Sequence, residues 1–404
     1  MISVRDAIEI TLANTPRQKP VEADFTRCIG TVLAEDVLSD MDMPPFNRSM
    51  MDGYALASDD ALLAAAKLQV VGFIPAGSNP KFKLQPGQAA KIMTGAPLPE
   101  GADAVREVEK VRLLDQGRVV EILEPVKPGL NVVPKGAEVK AGEAVLTAGT
   151  YIQAPIIGLL AATGKVKVKI YKPPEVAILA TGDELVDPHI KPMPGQIRNS
   201  NSFTLQALCS RLGLKSRILG VAKDDKNALR FKIVEGLKYD VLLMTGGVSM
   251  GDLDLVQDVL KELGGHFYYQ KVAIKPGKPT VFGKVGEKLV FALPGNPVSS
   301  ATVFEVIVRP ALRKMMGYPV YQNPIVTAVL TEYFANHSQR ENYHPAVCWY
   351  EDGQFFCRPL RTRGSGDIVS FARSNSYLIC PIDKKEIYEN EPVQVMLRED
   401  FYLT

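Results

Sequence analysis

The run "DVLLMTGGVSMGDLDLV" (240–256) ends an apolar stretch on two adjacent glycines, adds Ser249, and then sets Asp252 and Asp254 two positions apart. Gly246 and Gly247 permit positive φ and let backbone N–H groups approach an anion with no Cβ in the way. A helix starting near Asp254 turns its N-terminal dipole toward the same point. Two carboxylates there repel a bare phosphate. They suit a divalent cation shared with phosphate, because Mg2+ takes one or two carboxylates together with phosphate oxygens and water. Asp224 and Asp225, in "AKDD" at another strand end, are candidates to complete that site. The alternatives are a helix N-cap for Asp252 or Asp254 and a solvated turn for Asp224 and Asp225. "YYQKVAIKPGKPT" (268–280) supplies Lys271, Lys275 and Lys278, cations able to neutralise phosphate or another oxyanion if they converge. "LPGNP" (293–297) is a turn stiffened by Pro294 and Pro297 around Gly295 and Asn296, able to offer backbone donors or simply to connect.

These loops need a scaffold that ends several strands side by side. From Pro173 onward, apolar runs closed by "TGDE", "AKDD", "TGGVSMGDLD" and "LPGNP" alternate with helical patterns such as "NSFTLQALCSRLG" and "VSSATVFEVIVRPALRKM". That alternation predicts a doubly wound parallel sheet, whose ligands bind beyond the carboxyl ends of the strands. Residues 3–13 read as an amphipathic helix with Ser3 as N-cap and Val4, Ile8 and Leu12 on its stripe; 151–164 reads as a short helix stopped by glycine. Between them, short β-like runs such as "LQVVGFIPAG" form a β-rich module. After about residue 320 the pattern is β again, with Asp352-Gly353 as a hairpin turn in "VCWYEDGQFFC". The expected fold is multidomain α/β and β. A helical N-terminal body (1–45 plus 140–172) carries an inserted β-rich module (46–139), followed by the central α/β domain (173–318) and a small C-terminal β domain or barrel (319–404).

Composition narrows the function. The chain has 404 residues, too many for one core, and a net charge of +2, which disfavours a general nucleic-acid binder. Five scattered cysteines without CxxC spacing read as reduced thiols of a cytoplasmic protein. The start "MISVRDAIEI" lacks a signal-peptide pattern, and no apolar run is long enough for a membrane span. No GxGxxG fingerprint, GxxxxGK[ST] loop, zinc-spaced Cys/His cluster or serine elbow is present, which disfavours the common NAD enzymes, P-loop NTPases, zinc sites and hydrolases.

Nearly the whole chain resembles the molybdopterin molybdotransferases of the MoeA type, which include the E domain of gephyrin. The resemblance is carried by "PPFNRSMMDGYAL" (44–56), "KIMTGAPLPEGADAV" (91–105), "ATGDELV" (180–186), "GQIRNSNSFTL" (195–205), "MTGGVSMGDLD" (244–254), "AIKPGKPTVFG" (273–283) and "LPGNPVSS" (293–300). It implies a Mg2+-dependent insertion of molybdate into adenylylated molybdopterin with release of AMP. It also implies an elongated homodimer with each site shared between subunits, supplied by a molybdopterin adenylyltransferase and serving apo-molybdoenzymes. Carried over by motif, Asp52, Thr94, Glu184, Asp224, Asp254, Lys271 and Lys275 are the catalytic candidates. Asp224 and Asp254 are the metal ligands. Gly246, Gly247, Ser249, Lys278, Pro294, Gly295, Asn296, Pro297, Arg340 and Ser365 are the substrate-binding candidates.

Three departures stand out. The family's "NIRxxGED" reads "NVVPKGAEV", with Val133 for an arginine and Glu138 for an aspartate. Its "GRxxFxR" reads "QRENYHP", so the second arginine falls on His344 or Pro345; Arg340, Arg361 and Arg363 are candidates to restore the charge. Arg106 stands where an apolar residue is usual. A non-catalytic scaffold of the gephyrin kind and an adenylyltransferase are the competing readings.

Overall fold

Two strands with no exposed residue organise the centre of the protein: Val176–Thr181 (β1) and Val241–Thr245 (β3) are buried along their whole length. Continuous apolar runs of this kind belong to strands covered on both faces. The computed structural model describes residues 1–223, 225–247 and 252–398, with only the backbone of 252–254. The other strands of this sheet are Ser216–Ala222 (β2), Gly265–Lys271 (β4), Pro279–Val285 (β5) and Lys288–Leu293 (β6), in the order β2-β1-β3-β6-β5-β4.

Strands β2, β1, β3 and β6 are parallel, in a register that sets Ala180 beside Thr245 and Thr245 beside Leu293. Alternate side chains supply the two faces. Val176, Ile178, Leu243 and Phe291 face a core shared with helices Asn201–Arg211 and Pro297–Val303. Ala177, Leu179, Met244 and Val290 face helices Lys226–Gly236 and Asp252–Glu262. The sheet is doubly wound as expected, but β5 and β4 run antiparallel to their neighbours. Only Gly286 and Glu287 separate β5 from β6, and two residues can reverse a chain but cannot cross over a sheet.

The first helix, Val4–Ala13 (α1), starts at a capping box in which Ser3 and Asp6 exchange hydrogen bonds. Its buried residues are Val4, Ala7 and Thr11 rather than the expected Val4, Ile8 and Leu12. Thr11 turns inward because its hydroxyl meets the buried Tyr269 hydroxyl at 2.7 Å. Behind "LPGNP" the helix continues through a π turn, Phe304–Val308, into Arg309–Met315. There the fully buried Arg309 makes a two-pronged bond to Glu305 at 2.6 and 3.1 Å, and Asn323 donates to the same carboxylate at 2.9 Å.

The C-terminal strands Ile325–Leu330 (β7), Glu341–Glu351 (β8), Gln354–Pro359 (β9), Ser376–Cys380 (β10) and Pro392–Leu397 (β11) close into a barrel through the β8–β10 pairing. Asp352 and Gly353 both take positive φ in the β8–β9 turn, the conformation that Asp-Gly favours. Ile274–Lys275 lies parallel to the start of β8.

The chain divides into two compact units, and the second spans residues 36–148 and 158–166. It holds a six-stranded sheet between Gly53–Leu56 and Val119–Ile122. Arg106 is buried in this sheet, where the Glu124 and Pro125 carbonyls accept from it and the Glu107 and Glu124 carboxylates lie at 3.6 and 3.7 Å. Those acceptors account for a cation at a position where an apolar side chain is usual. All five cysteines are buried free thiols, in line with the sequence reading. Among the described residues no helix is long and apolar enough to cross a membrane.

Replacing Glu305 by alanine leaves the Arg309 charge buried without its two-pronged partner. The expected loss is about 3–5 kcal/mol of stability, read from the urea midpoint. The double replacement Glu305→Leu with Arg309→Met loses far less, because neither charge then has to be desolvated.

Candidate functional site

The carboxyl ends of β1, β3 and β6 open onto a cavity of about 540 Å³. Its floor is the contact between two loops. Gly246 and Gly247 have φ of +86° and +62°, and added Cβ atoms would run into the Thr181 carbonyl and the Thr181 hydroxyl respectively. The Gly246 N–H donates to Leu293 O at 3.3 Å. Asn201, at the start of its helix, ties the rim together by donating to Thr245 Oγ1 at 2.9 Å and to Gly295 O at 2.7 Å. Thr245 in turn donates to Pro294 O at 3.3 Å. Glu184 lines the opening, its carboxylate folded over Gly182, where φ of +138° and lack of a Cβ make room for it.

Two polar atoms in this wall have no partner among the described residues: the hydroxyl of Thr181, a buried residue that lines the cavity, and the buried Oδ1 of Asn201. Unsatisfied buried polar atoms cost free energy, and a polar ligand in the cavity would relieve that cost. Neither residue was singled out from sequence, although both lie in quoted motifs. Their signal was position, at the last residue of a strand and the first of a helix.

A second cavity of about 280 Å³ shares Pro279, Pro294 and Asn296 with the first. Lys275, Lys278, Arg340 and His344 line it, with no carboxylate among the described lining residues. Ser365 lines it too, accepting from Asn296 Nδ2 at 2.8 Å, while Ser365 O accepts from the Val298 N–H at 3.1 Å. These bonds hold the loop after β9 against "LPGNP". Arg340 donates to Ile274 O at 3.1 Å, and burial pulls its pKa downward.

The structure therefore brings Glu184, Gly246, Gly247 and Pro294 to Pro297 to one cavity, and Lys275, Lys278, Arg340 and Ser365 to the one adjoining it. Lys271 lines neither; it is exposed at the end of β4, opposite Pro279. Arg361 and Arg363 also stand outside both cavities. Asp225 caps helix Lys226–Gly236 by accepting from the Ala228 N–H at 2.9 Å. Asp224, Ser249 and the Asp254 side chain lie outside the described residues, and so do both nominated metal ligands. Among the described residues no cluster of three or more His, Cys, Asp or Glu could hold a metal ion.

Asp52 and Thr94 belong to the second compact unit, and they are partners. Asp52 Oδ1 accepts from the Thr94 N–H at 2.7 Å and from its hydroxyl at 2.8 Å. Those bonds, the backbone one foremost, hold the Asp52 carboxyl below the usual carboxylate range. Nearby, Arg48 pairs with Glu138 at 3.0 Å and lies opposite Val133.

Three family descriptions cover this chain: the MoeA N-terminal region (domain I and II) over residues 2–164, a probable molybdopterin binding domain over 177–314, and the MoeA C-terminal region (domain IV) over 327–397. A molybdopterin molybdenumtransferase from Nostoc is 36% identical, across 98% of this chain and 94% of its own length. The chain belongs to the MoeA family of molybdopterin molybdenumtransferases. The Staphylococcus epidermidis protein of the same name is 32% identical over 98% of this chain and 96% of its own. The molybdopterin biosynthesis MoeA protein of Pyrococcus horikoshii superposes with a TM-score of 0.83 at 33% identity, covering 98% of this chain and 99% of that one. Arg340, His344 and Pro345, from the stretch "QRENYHP", all line the basic cavity.

Thr94→Val keeps the backbone donor to Asp52 and removes the hydroxyl. The Asp52 pKa is expected to rise part of the way toward the ordinary carboxylate value, as followed by carbon-13 carboxyl NMR titration.

Proposed function

We propose that this chain inserts molybdate into adenylylated molybdopterin, with Mg2+-dependent release of AMP, to give molybdenum cofactor. The observation that carries the reading is the pairing of the two cavities. One is walled by glycine backbone and orphaned polar atoms, and the other, sharing three residues with it, is lined by basic side chains.

The chemistry divides accordingly. A phosphate-bearing pterin takes the strand-end cavity, where the Gly246–Gly247 backbone allows close approach and the Thr181 hydroxyl and Asn201 offer polar contacts. Molybdate, a tetrahedral dianion and a substrate here, takes the basic cavity, held by Lys275, Lys278, Arg340 and Ser365. The residues common to both, Pro279, Pro294 and Asn296, put the acceptor and the oxyanion side by side, so positioning carries much of the rate. Glu184 orients the substrate at the opening. Asp224 and Asp254, which follow β2 and β3 in the chain, are the proposed Mg2+ ligands, two carboxylates being the donor set this ion prefers. Mg2+ supplies charge neutralisation at the phosphoanhydride. Lys271, which lines neither cavity, is proposed to act through attraction of anions toward them.

The proposed working form is a cytoplasmic homodimer in which Asp52 and Thr94 serve the partner copy's site. A molybdopterin adenylyltransferase supplies the substrate, and apo-molybdoenzymes take the product.

AMP release from adenylylated molybdopterin is expected to require both molybdate and Mg2+. In Lys275→Ala the KM for molybdate is expected to rise about ten- to a hundredfold, the loss of one charge-assisted hydrogen bond. AMP release that ignores molybdate would overturn the reading. For the shared site, Asp52→Ala and Lys275→Ala are each expected to be nearly inactive at molybdate concentrations well below the wild-type KM. After mixing and subunit exchange, about a quarter of wild-type activity should return, because half the dimers then hold one intact site of two. No recovery, with exchange shown by mass spectrometry, would place each site within one chain.

A further inference from the structure

His344 and Pro345 are the two positions on which the family's second arginine falls, and both line the basic cavity. One of the His344 ring nitrogens, Nε2, lies 2.7 Å from Leu360 O. A carbonyl oxygen only accepts, so Nε2 carries the proton. Nδ1 is then the ring nitrogen left to meet a ligand. In the neutral ring it is a bare lone pair, which repels an oxyanion; in the protonated ring it is a charged donor.

The surroundings of the ring decide when that proton is present. Lys275, on the short strand beside β8, lines the same cavity, as do Lys278 from the following turn and Arg340 from just before β8. The neighbouring barrel strand sets Leu378 opposite His344 and the buried thiol of Cys380 opposite Asn342. Phe334 packs against the ring at 4.8 Å between centroids. The acid closest in sequence, Glu341, accepts from the Tyr343 hydroxyl and lines a different groove. Every charged group that shares the cavity is therefore positive. Burial pulls the His344 pKa below the ordinary value, the Leu360 carbonyl opposes it less strongly, and Lys275 adds a lesser downward pull. An empty cavity thus holds neutral His344 at neutral pH. A bound dianion reverses the field and favours the imidazolium.

We propose that His344 is a proton-gated ligand for the tetrahedral oxyanion, so that molybdate capture takes up a proton and weakens as pH rises. The proposal rests on the reading of the basic cavity as the molybdate site. Its logic is charge balance. Lys275, Lys278 and Arg340 already exceed the two charges of the dianion, so a fourth permanent cation would add repulsion to the empty cavity. A histidine contributes its charge only while the anion is present, and withdraws it when the anion has reacted. The sign follows from linkage: binding raises the histidine pKa. Between the pKa of the empty cavity and the higher one of the filled cavity, complex formation consumes a proton and affinity falls with rising pH.

The test is calorimetric titration with molybdate between about pH 5.5 and about pH 8, each pH run in buffers of different ionisation enthalpy. The wild type is expected to lose about tenfold in affinity per pH unit within the linked window, with close to one proton taken up per molybdate. His344→Arg is expected to bind with a flat profile and no proton uptake. His344→Gln, smaller and neutral, should be flat and weaker, which keeps the test decisive if the arginine does not fit. Binding that Lys275→Ala weakens tenfold or more, but whose pH slope survives in both His344 variants, overturns the role of His344 alone. Binding that Lys275→Ala leaves unchanged, or no binding by the wild type, overturns the cavity assignment and this inference with it.

Discussion

At Gly246 and Gly247 the chain passes so close to Thr181 that a side chain at either position would occupy the space of the Thr181 carbonyl or hydroxyl. This crowding is what the site depends on. It lets the loop after β3 fold against the end of β1 while Gly246 remains bonded to the end of β6, so three strand ends face one space. The parallel register produces the alignment, because Ala180, Thr245 and Leu293 lie abreast in the sheet. The price of so tight a junction is that the Thr181 hydroxyl has no hydrogen-bond partner among the described residues.

Charge is distributed with equal economy. The strand-end cavity has Glu184 at its opening and glycine backbone in its wall, whereas the cavity beside it carries Lys275, Lys278, Arg340 and His344. In the proposed reading, separation of this kind keeps a phosphate and a free oxyanion in different fields. A phosphate can be held by oriented N–H dipoles and a helix start, while a small free dianion needs full charges around it.

Much of this was legible in the residues. Glycine pairs and prolines at the ends of apolar runs marked the loops, and the strand–helix alternation placed them at one end of a doubly wound sheet. What escaped detection did so for physical reasons. The antiparallel edge formed by β4 and β5 was hidden because "VGEK" resembles any polar turn, and only the shortness of the connection gave it away. Thr11 looked like the polar flank of a helix until Tyr269 supplied a hydrogen-bond partner from 258 residues further along the chain. Thr181 and Asn201 carry no special chemistry by type; proximity to two glycines and to a proline turn gives them their role. Arg106 read as a departure and found its explanation in acceptors the sequence could not place, the carbonyls of residues 124 and 125, and the ring of His344 likewise found a distant carbonyl, that of residue 360. Fold class follows from periodicity, which is local, whereas a site is made of meetings between distant segments.

The bond from Asn296 to Ser365 joins the turn at the end of β6 to the loop that leaves the barrel. Half of the basic side chains of the second cavity thus come from the barrel domain, whose Gly366 also reaches the strand-end cavity. The barrel adds two of the pocket's four basic side chains, and it is held there both by the Asn296–Ser365 bond and by the pairing of Ile274–Lys275 along the start of β8.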